Sequence, residues 1–279
     1  MLLTRTVPEL RAAVAAARAA GKAVGLVPTM GCLHEGHLSL VDLARARAPF
    51  TVVSVFVNPT QFGPKEDFAR YPRPFEEDCR LCEGRGVDVV FAPGADFYAP
   101  DHSTWVEETS LSRGLCGEHR PGHFRGVATV VLKLLNAARA DVAVFGRKDL
   151  QQLAVIRRLV RDLDVPVEVV EAPIARDPDG LAMSSRNRHL SPAERSAALA
   201  IPASLRAAAA AAAAGERDPA KVLAAARAVL AAEPGLRPQY LELVDAATLS
   251  PAAVAQPGRT VAAVAAFAGA TRLIDNLAL

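Results

Sequence analysis

Short apolar, β-branched runs recur along the first two thirds of the chain, at residues 23–27, 51–57 (TVVSVFV), 87–92 (VDVVFA), 141–145 (DVAVF) and 165–170 (VPVEVV). Segments of helical character separate them, at 38–48, 74–85, 127–139 and 150–163. Ahead of the first run, Thr6 with Glu9 three residues later predicts a capping box opening an Ala-rich helix to about residue 20. Strands that are almost continuously apolar are buried on both faces, and their alternation with helices predicts a parallel sheet. Such open sheets bind ligands beyond the carboxyl ends of their strands, so the chemistry is expected just after each run.

The pattern changes near residue 175. Ser191 with Glu194, and Pro192 at the first helical position, predicts a second capping box at the head of an Ala-rich helix, and Asp218 with Pro219 opens another. Three β-type runs, 239–244, 260–267 and 271–277, then lie close together with Gly and Pro turns between them. The expected architecture is α/β: a Rossmann-like parallel sheet with helices on both faces over 1–174, and a smaller C-terminal α+β lid domain with a short antiparallel sheet over 175–279. The boundary is placed in the Asp, Pro and Gly cluster at 177–180.

Composition narrows the class. The chain has 279 residues, 51% of them hydrophobic, and its 32 basic and 30 acidic side chains leave a formal charge of +2 with no block of one sign. No nucleic-acid partner is called for. No uninterrupted apolar stretch approaches the ~20 residues that span a bilayer, and Arg5, Glu9, Arg11 and Arg18 stand where a signal peptide needs its apolar segment. A soluble, cytoplasmic protein without membrane contact is expected. Cys32, Cys79, Cys82 and Cys116 are too few for a disulfide scaffold, and the single C-x-x-C lies inside a helical pattern with no second pair at metal spacing.

Four segments carry candidate chemistry. In PTMGCLHEGH (28–37), His34 and His37 straddle a strand-to-helix turn, where imidazoles beside the first helical N–H groups can bind phosphate; an isolated H-x-x-H pair is as readily structural. In the loop after the second run, Asn58 and Gln61 suit a small polar substrate, and the Gly-, Pro- and charge-rich residues beyond them read either as a lid or as a solvated connection. After the fourth run, Lys148 can reach a phosphate or mark an exposed helix start, Asp149 can cap the helix, and Gln152 would face the same crevice one turn on. In GLAMSSRNRHL (180–190), Ser184, Ser185 and Arg186 form either a polyphosphate clamp at the domain junction or a turn capping the next helix. His123 is assigned a structural role, His102, His119 and His189 are taken as surface residues, and the run 52–57 is placed near a sheet edge.

Taken together, PTMGCLHEGH, FVNPTQFGPKEDFARYPR, GHFRGVATVVLKLLN, FGRKDLQQL and GLAMSSRNR occur in the order and spacing of the pantothenate synthetases, and the resemblance runs from about residue 20 to 195, more weakly to YLELVD and TRLIDN. That family resembles class I aminoacyl-tRNA synthetases in its HxGH signature and in a KMSKS-like loop, here MSSR. The resemblance implies a two-step ligase that uses ATP and Mg²⁺: pantoate is adenylated with release of pyrophosphate, and β-alanine then displaces AMP. It implies a homodimer. It also implies that Met30, Gly31, His34 and His37, Gly146, Lys148 and Asp149, and Met183, Ser184, Ser185 and Arg186 contact ATP, with His34, His37, Lys148 and Arg186 catalytic and His37 the proton donor or charge stabiliser. Gln61 and Gln152, with Asn58, would hold pantoate, Gln61 would also touch β-alanine, and Glu77 and Asp78 would bind Mg²⁺. Cys32 and Arg147 depart from the residues usual at their positions.

Rival readings fit less well. A nucleotidylyltransferase acting on a phosphorylated acceptor calls for Arg or Lys where Gln61 and Gln152 stand. A nucleotide-binding regulator does not need His34, His37, Lys148 and Arg186 together, and a tRNA-charging enzyme needs a basic face that a charge of +2 does not supply.

Overall fold

The chain enters on a strand that the hydrophobic pattern does not mark. Leu2–Thr4 (β1) is only three residues long and reaches strand geometry by pairing in parallel with Val89–Phe91 further along. Val7–Ala19 (α1) follows, capped as its sequence predicts: the Glu9 amide donates to Thr6 Oγ1, and the Thr6 amide donates to the Glu9 carboxylate. The alternation then continues through Val24–Thr29 (β2), Glu35–Arg47 (α2), Phe50–Val55 (β3), Phe75–Gly84 (α3) and Val89–Phe91 (β4). After the short Cys116–His119 (α4) come His123–Ala138 (α5), Val142–Gly146 (β5), Leu150–Asp162 (α6) and Glu168–Ala172 (β6). The computed structural model describes residues 1–64 and 66–279; Lys65, within the segment 56–73, lies outside the described residues.

All six strands are parallel, in the order β1-β4-β3-β2-β5-β6. Alternate residues of each strand enter opposite cores, as the period of a pleated strand demands. Leu26, Val52, Phe91 and Ala143 join α1, α5 and α6 on one side, while Val27, Val53, Val90 and Val144 join α2 and α3 on the other. Burial on both faces is why the strands read as continuous apolar runs. The run 52–57 is corrected here: β3 lies inside the sheet, and the edges are β1 and β6. Because β2 leads to β3 on one side and β5 to β6 on the other, the connections diverge between the neighbouring strands β2 and β5, which places a ligand crevice at their carboxyl ends.

Two compact units divide the chain, the first Met1–Thr109, Arg120–Arg147 and Gln152–Pro173, the second Ser110–His119, Lys148–Gln151 and Ile174–Leu279. The second unit contains Pro192–Ala198 (α7), Ala200–Ala213 (α8), Pro219–Ala231 (α9) and an antiparallel sheet of Leu236–Asp245 (β7), Thr260–Ala268 (β8) and Thr271–Ala278 (β9). The predicted capping box of Ser191 and Glu194 opens α7, yet the Ala-rich helix is broken at Leu199. Pro202 explains the break, since it has no amide to offer the Ala198 carbonyl and its ring crowds that oxygen. The run Pro192–Ala213, 22 residues with an 18-residue window of mean hydropathy 1.3, matches a bilayer span in length. Its apolar side chains Ile201, Leu205, Ala208 and Ala212 form the core of the second unit against β8 instead, where Ala262, Val264 and Ala266 are fully buried.

Candidate active site

Beyond β2 the chain turns through Met30–Leu33 into α2, with His34 at the N-cap position. Gly31 has φ +79°, and a Cβ there would meet Asp78 Oδ2 at 2.8 Å and Val55 Cγ1 at 2.9 Å, so conformation and surroundings both require glycine. The turn is anchored by Asp78, 1% exposed in the first turn of α3. Its Oδ2 accepts the Cys32 amide at 2.9 Å and its Oδ1 the Leu33 amide at 2.7 Å. One carboxylate thereby fixes two successive amides immediately before the histidines, in the stronger, charge-assisted class of hydrogen bond. The His34 and His37 rings lie with centroids 4.0 Å apart at a 37° tilt, and the His37 and Leu38 amides both donate to the His34 carbonyl. Both rings therefore stand at the positive end of a 13-residue helix, the place in a parallel sheet best suited to an anionic ligand.

Glu77 and Asp78 do not fit a magnesium ion held between them. Mg²⁺ requires oxygens free to converge on one octahedral centre. Each Asp78 oxygen is already held toward an amide of the turn, and Glu77 is ion-paired with Arg80 at the surface. Among the described residues, no group of three or more His, Cys, Asp or Glu side chains gathers in a metal-binding arrangement. The C-x-x-C pair is likewise no site: burial, with the Asp78 charge second, pushes the Cys82 thiol up to about 12, the opposite of a reactive thiolate.

Beyond β3, Asn58 caps the one-turn helix Pro59–Gln61. Its amide is used up inside the protein: Oδ1 accepts from the Thr60 amide, the Thr60 hydroxyl and the Tyr98 hydroxyl, and Nδ2 donates to Gln61 Oε1 at 3.1 Å and the Gly126 carbonyl at 3.2 Å. Asn58 thus orients Gln61, whose Nε2 donates to Met30 Sδ at 3.2 Å and so connects this turn to the β2 turn. One amide proton and one carbonyl lone pair of Gln61 are left for a ligand.

The main chain at Gln61 is held as firmly. Arg120 grips Glu66 with two bonds of 2.7 Å, and its Nη1 lies 3.0 Å from His123 Nε2. A guanidinium only donates, so His123 Nε2 accepts and its Nδ1–H donates to the Gln61 carbonyl at 2.8 Å. Burial would raise the Glu66 pKa, but Arg120 outweighs it and holds the carboxyl below its usual range. From the other side α5 presses on the turn: a Cβ on Gly126 would lie 2.3 Å from the Thr60 carbonyl oxygen and 2.7 Å from the Gln61 amide nitrogen. Gly126→Ala is expected to cost about 1–3 kcal/mol by overpacking, read as a lowered urea midpoint. An unchanged midpoint would show that α5 does not clamp this turn.

At the end of β5, Gly146 leads to Arg147, whose Nε lies 3.5 Å from Glu171 Oε1 on β6, a carboxylate shared with Arg157. That pairing accounts for arginine at this position. Gln152 is half-buried in the first turn of α6. In the second unit, Lys148 is 21% exposed with Nζ 4.0 Å from Asp149 Oδ2. Gln151, which the sequence did not single out, is buried and ties down its surroundings, accepting from the Cys116 amide and donating to the Leu111 and Gly114 carbonyls.

Met183–Arg186 leaves a small hairpin in which Arg176 bridges to Ala182 and the Met183 amide donates to Ala175. Ser184 Oγ accepts the Arg186 amide at 3.3 Å, so it caps the following turn Ser185–His189, and Ser185 is buried. Asn187 and Arg195 brace the hairpin through Asp177. His119 and His189 are exposed as expected, whereas His102 is not a surface residue: it is half-buried, in ring contact with Tyr98 and Trp105.

The first unit thus brings together Met30, Gly31, His34, His37, Asn58 and Gln61, and the second holds Lys148 and Asp149 on one turn and Met183–Arg186 on another. The roles of Asp78, Glu66, Arg120 and Gln151 were not legible in sequence, because their partners lie up to 59 residues away in the chain. The sequence profile of the pantoate-beta-alanine ligases matches residues 2–278. The chain is 54% identical to pantothenate synthetase 1 of Bradyrhizobium diazoefficiens over 280 residues, covering all of this chain and 98% of the relative, and 53% identical to that of Myxococcus xanthus, covering 99% and 95%. Its fold superposes on the Thermus thermophilus pantothenate synthetase with TM-score 0.94 at 47% identity, covering 100% and 99% of the two chains. The Francisella tularensis pantoate-beta-alanine ligase, described as complexed with beta-gamma ATP and beta-alanine, gives 0.80 at 29% identity, covering 100% and 97%. A match over nearly every residue, on a sheet whose β2 turn and Gln61 turn are built as described, shows that the chain belongs to the pantoate-beta-alanine ligase family.

Proposed function

We propose that this chain condenses pantoate with β-alanine, using ATP, through a pantoyl adenylate. The observation that carries the reading is the pairing, within one unit, of two imidazoles at a helix N-terminus with a Gln61 amide hydrogen-bonded to the adjoining turn. In the first step a pantoate carboxylate oxygen bonds to the α-phosphorus of ATP as the bond to the β-phosphate oxygen breaks and pyrophosphate leaves. In the second the amine of β-alanine attacks the acyl carbon, AMP departs and the amine loses a proton, leaving the amide of pantothenate. The site must stabilise phosphate charge as it shifts to the leaving group, which suits preorganised donors. Met30, Gly31, His34 and His37 provide the ATP contacts of the first unit, together with Gly146; Lys148, Asp149 and Met183–Arg186 provide those of the second.

Gln61 and Gln152 hold pantoate in this reading, and Gln61 also meets β-alanine. Asn58 acts by orienting Gln61, because its own amide is spent. Mg²⁺ travels with the triphosphate, as is common where water and phosphate oxygens fill most of its shell. Four free thiols fit a cytoplasmic location, and the homodimer belongs to the same reading through the family resemblance. The test is isotope exchange: pantoate-dependent incorporation of labelled pyrophosphate into ATP is expected without β-alanine. Its absence in protein that still forms pantothenate would exclude the adenylate route.

A further inference from the structure

Two adjacent residues near the end of β9, Asp275 and Asn276, reach both nucleotide-facing segments of the second unit. Asp275, 3% exposed, takes the Arg176 guanidinium end-on, with Nη1–Oδ2 2.7 Å and Nη2–Oδ1 3.0 Å. Arg176 Nη1 also donates to the Gly180 carbonyl at 3.1 Å, and its backbone bridges to Ala182. Asp275 therefore holds the base of the hairpin that delivers Met183–Arg186. Asn276, 2% exposed, donates from Nδ2 to the main-chain carbonyl of Lys148 at 3.0 Å, while its own amide donates to Asp275 Oδ1 at 2.8 Å.

One strand thus fixes the Lys148 turn and the Ser184–Arg186 turn from neighbouring positions, 128 and 99 residues from their partners. Stability alone does not explain these side chains. β9 is already bonded to β8 along its length through the backbone, and a buried ion pair is often no better for stability than apolar residues of similar volume. We infer that Asp275 and Asn276 are positioning residues, which set the Lys148 turn and the Ser184–Arg186 turn to receive the triphosphate of ATP. The inference rests on the nucleotide reading of Lys148 and Arg186 given above.

The experiment measures pyrophosphate exchange and thermal unfolding for Asn276→Ala, Asn276→Asp, the double variant Arg176→Met with Asp275→Leu, and Lys148→Ala. Both Asn276 variants are expected to raise KM for ATP about tenfold, the equivalent of one lost hydrogen bond, with KM for pantoate unchanged. The double variant is expected to keep its melting temperature and still show a raised KM for ATP, which a purely structural pair would not produce. A wild-type KM for ATP in the Asn276 variants and in the folded double variant, with Lys148→Ala impaired, overturns the positioning role alone. An unchanged KM for ATP in Lys148→Ala overturns the nucleotide reading and the inference with it.

Discussion

His37→Ala lowers the turnover of pyrophosphate exchange by ~10² or more, the loss typical of removing one preorganised donor from a developing charge, while leaving the fold intact. The two halves of that expectation have separate causes. His37 sits in the first turn of α2 with its ring 4.0 Å from that of His34, where charge can be met. It is only half-buried, and alanine is the best helix former, so the helix loses nothing by the exchange. Single-turnover kinetics with ATP and pantoate, beside a thermal melt, separate the two. An unaltered rate in folded protein would remove His37 from the chemistry.

Asp78→Ala shows the opposite balance: a large loss of stability, with activity following from it. Two buried amides, those of Cys32 and Leu33, lose a charged acceptor, and hydrogen bonds to charged groups are worth about 1.5–3 kcal/mol each. The sum, on the order of 4 kcal/mol, is a large share of the 5–15 kcal/mol that typically holds a domain together. Asp78→Asn, which keeps the shape but presents an NH₂ group to one of the two amides, falls between. Urea unfolding measures the loss, and a Mg²⁺ titration of activity identifies its origin. Anchoring of the turn predicts the same Mg²⁺ midpoint as the parent chain. A raised midpoint with unchanged stability would restore Asp78 as a metal ligand.

The comparison of Asp78 with Ser191 explains how much of the site could be read in the chain itself. Ser191 and Glu194 are capping partners three residues apart, so the sequence alone specifies their contact. Asp78 has the same task, receiving backbone amides at the head of a helix, yet its partners are 45 and 46 residues away and nothing local marks it. A carboxylate in an acidic stretch therefore reads as a metal ligand until its oxygens are seen to be occupied. Asn58 teaches the same point, since an amide beside Gln61 suits a substrate until Gly126, Thr60 and Tyr98 are found to consume it.

By itself the sequence determined what depends on neighbours within a turn or two: the caps at Thr6 and Ser191, the apolar strands, their alternation with helices and hence the parallel sheet with a small antiparallel one. The order of the polar segments that carry the candidate site residues was legible for the same reason, as each is a short polar stretch close to an apolar run. Only the tertiary structure decided the pairing of β1 with β4, the interior place of β3, the anchoring of the β2 turn by Asp78 and the grip of β9 on Lys148 and Arg176. These link residues many tens of positions apart. Hydrogen-bond capacity is written in a side chain, but which partner uses it depends on where the packed core brings the backbone.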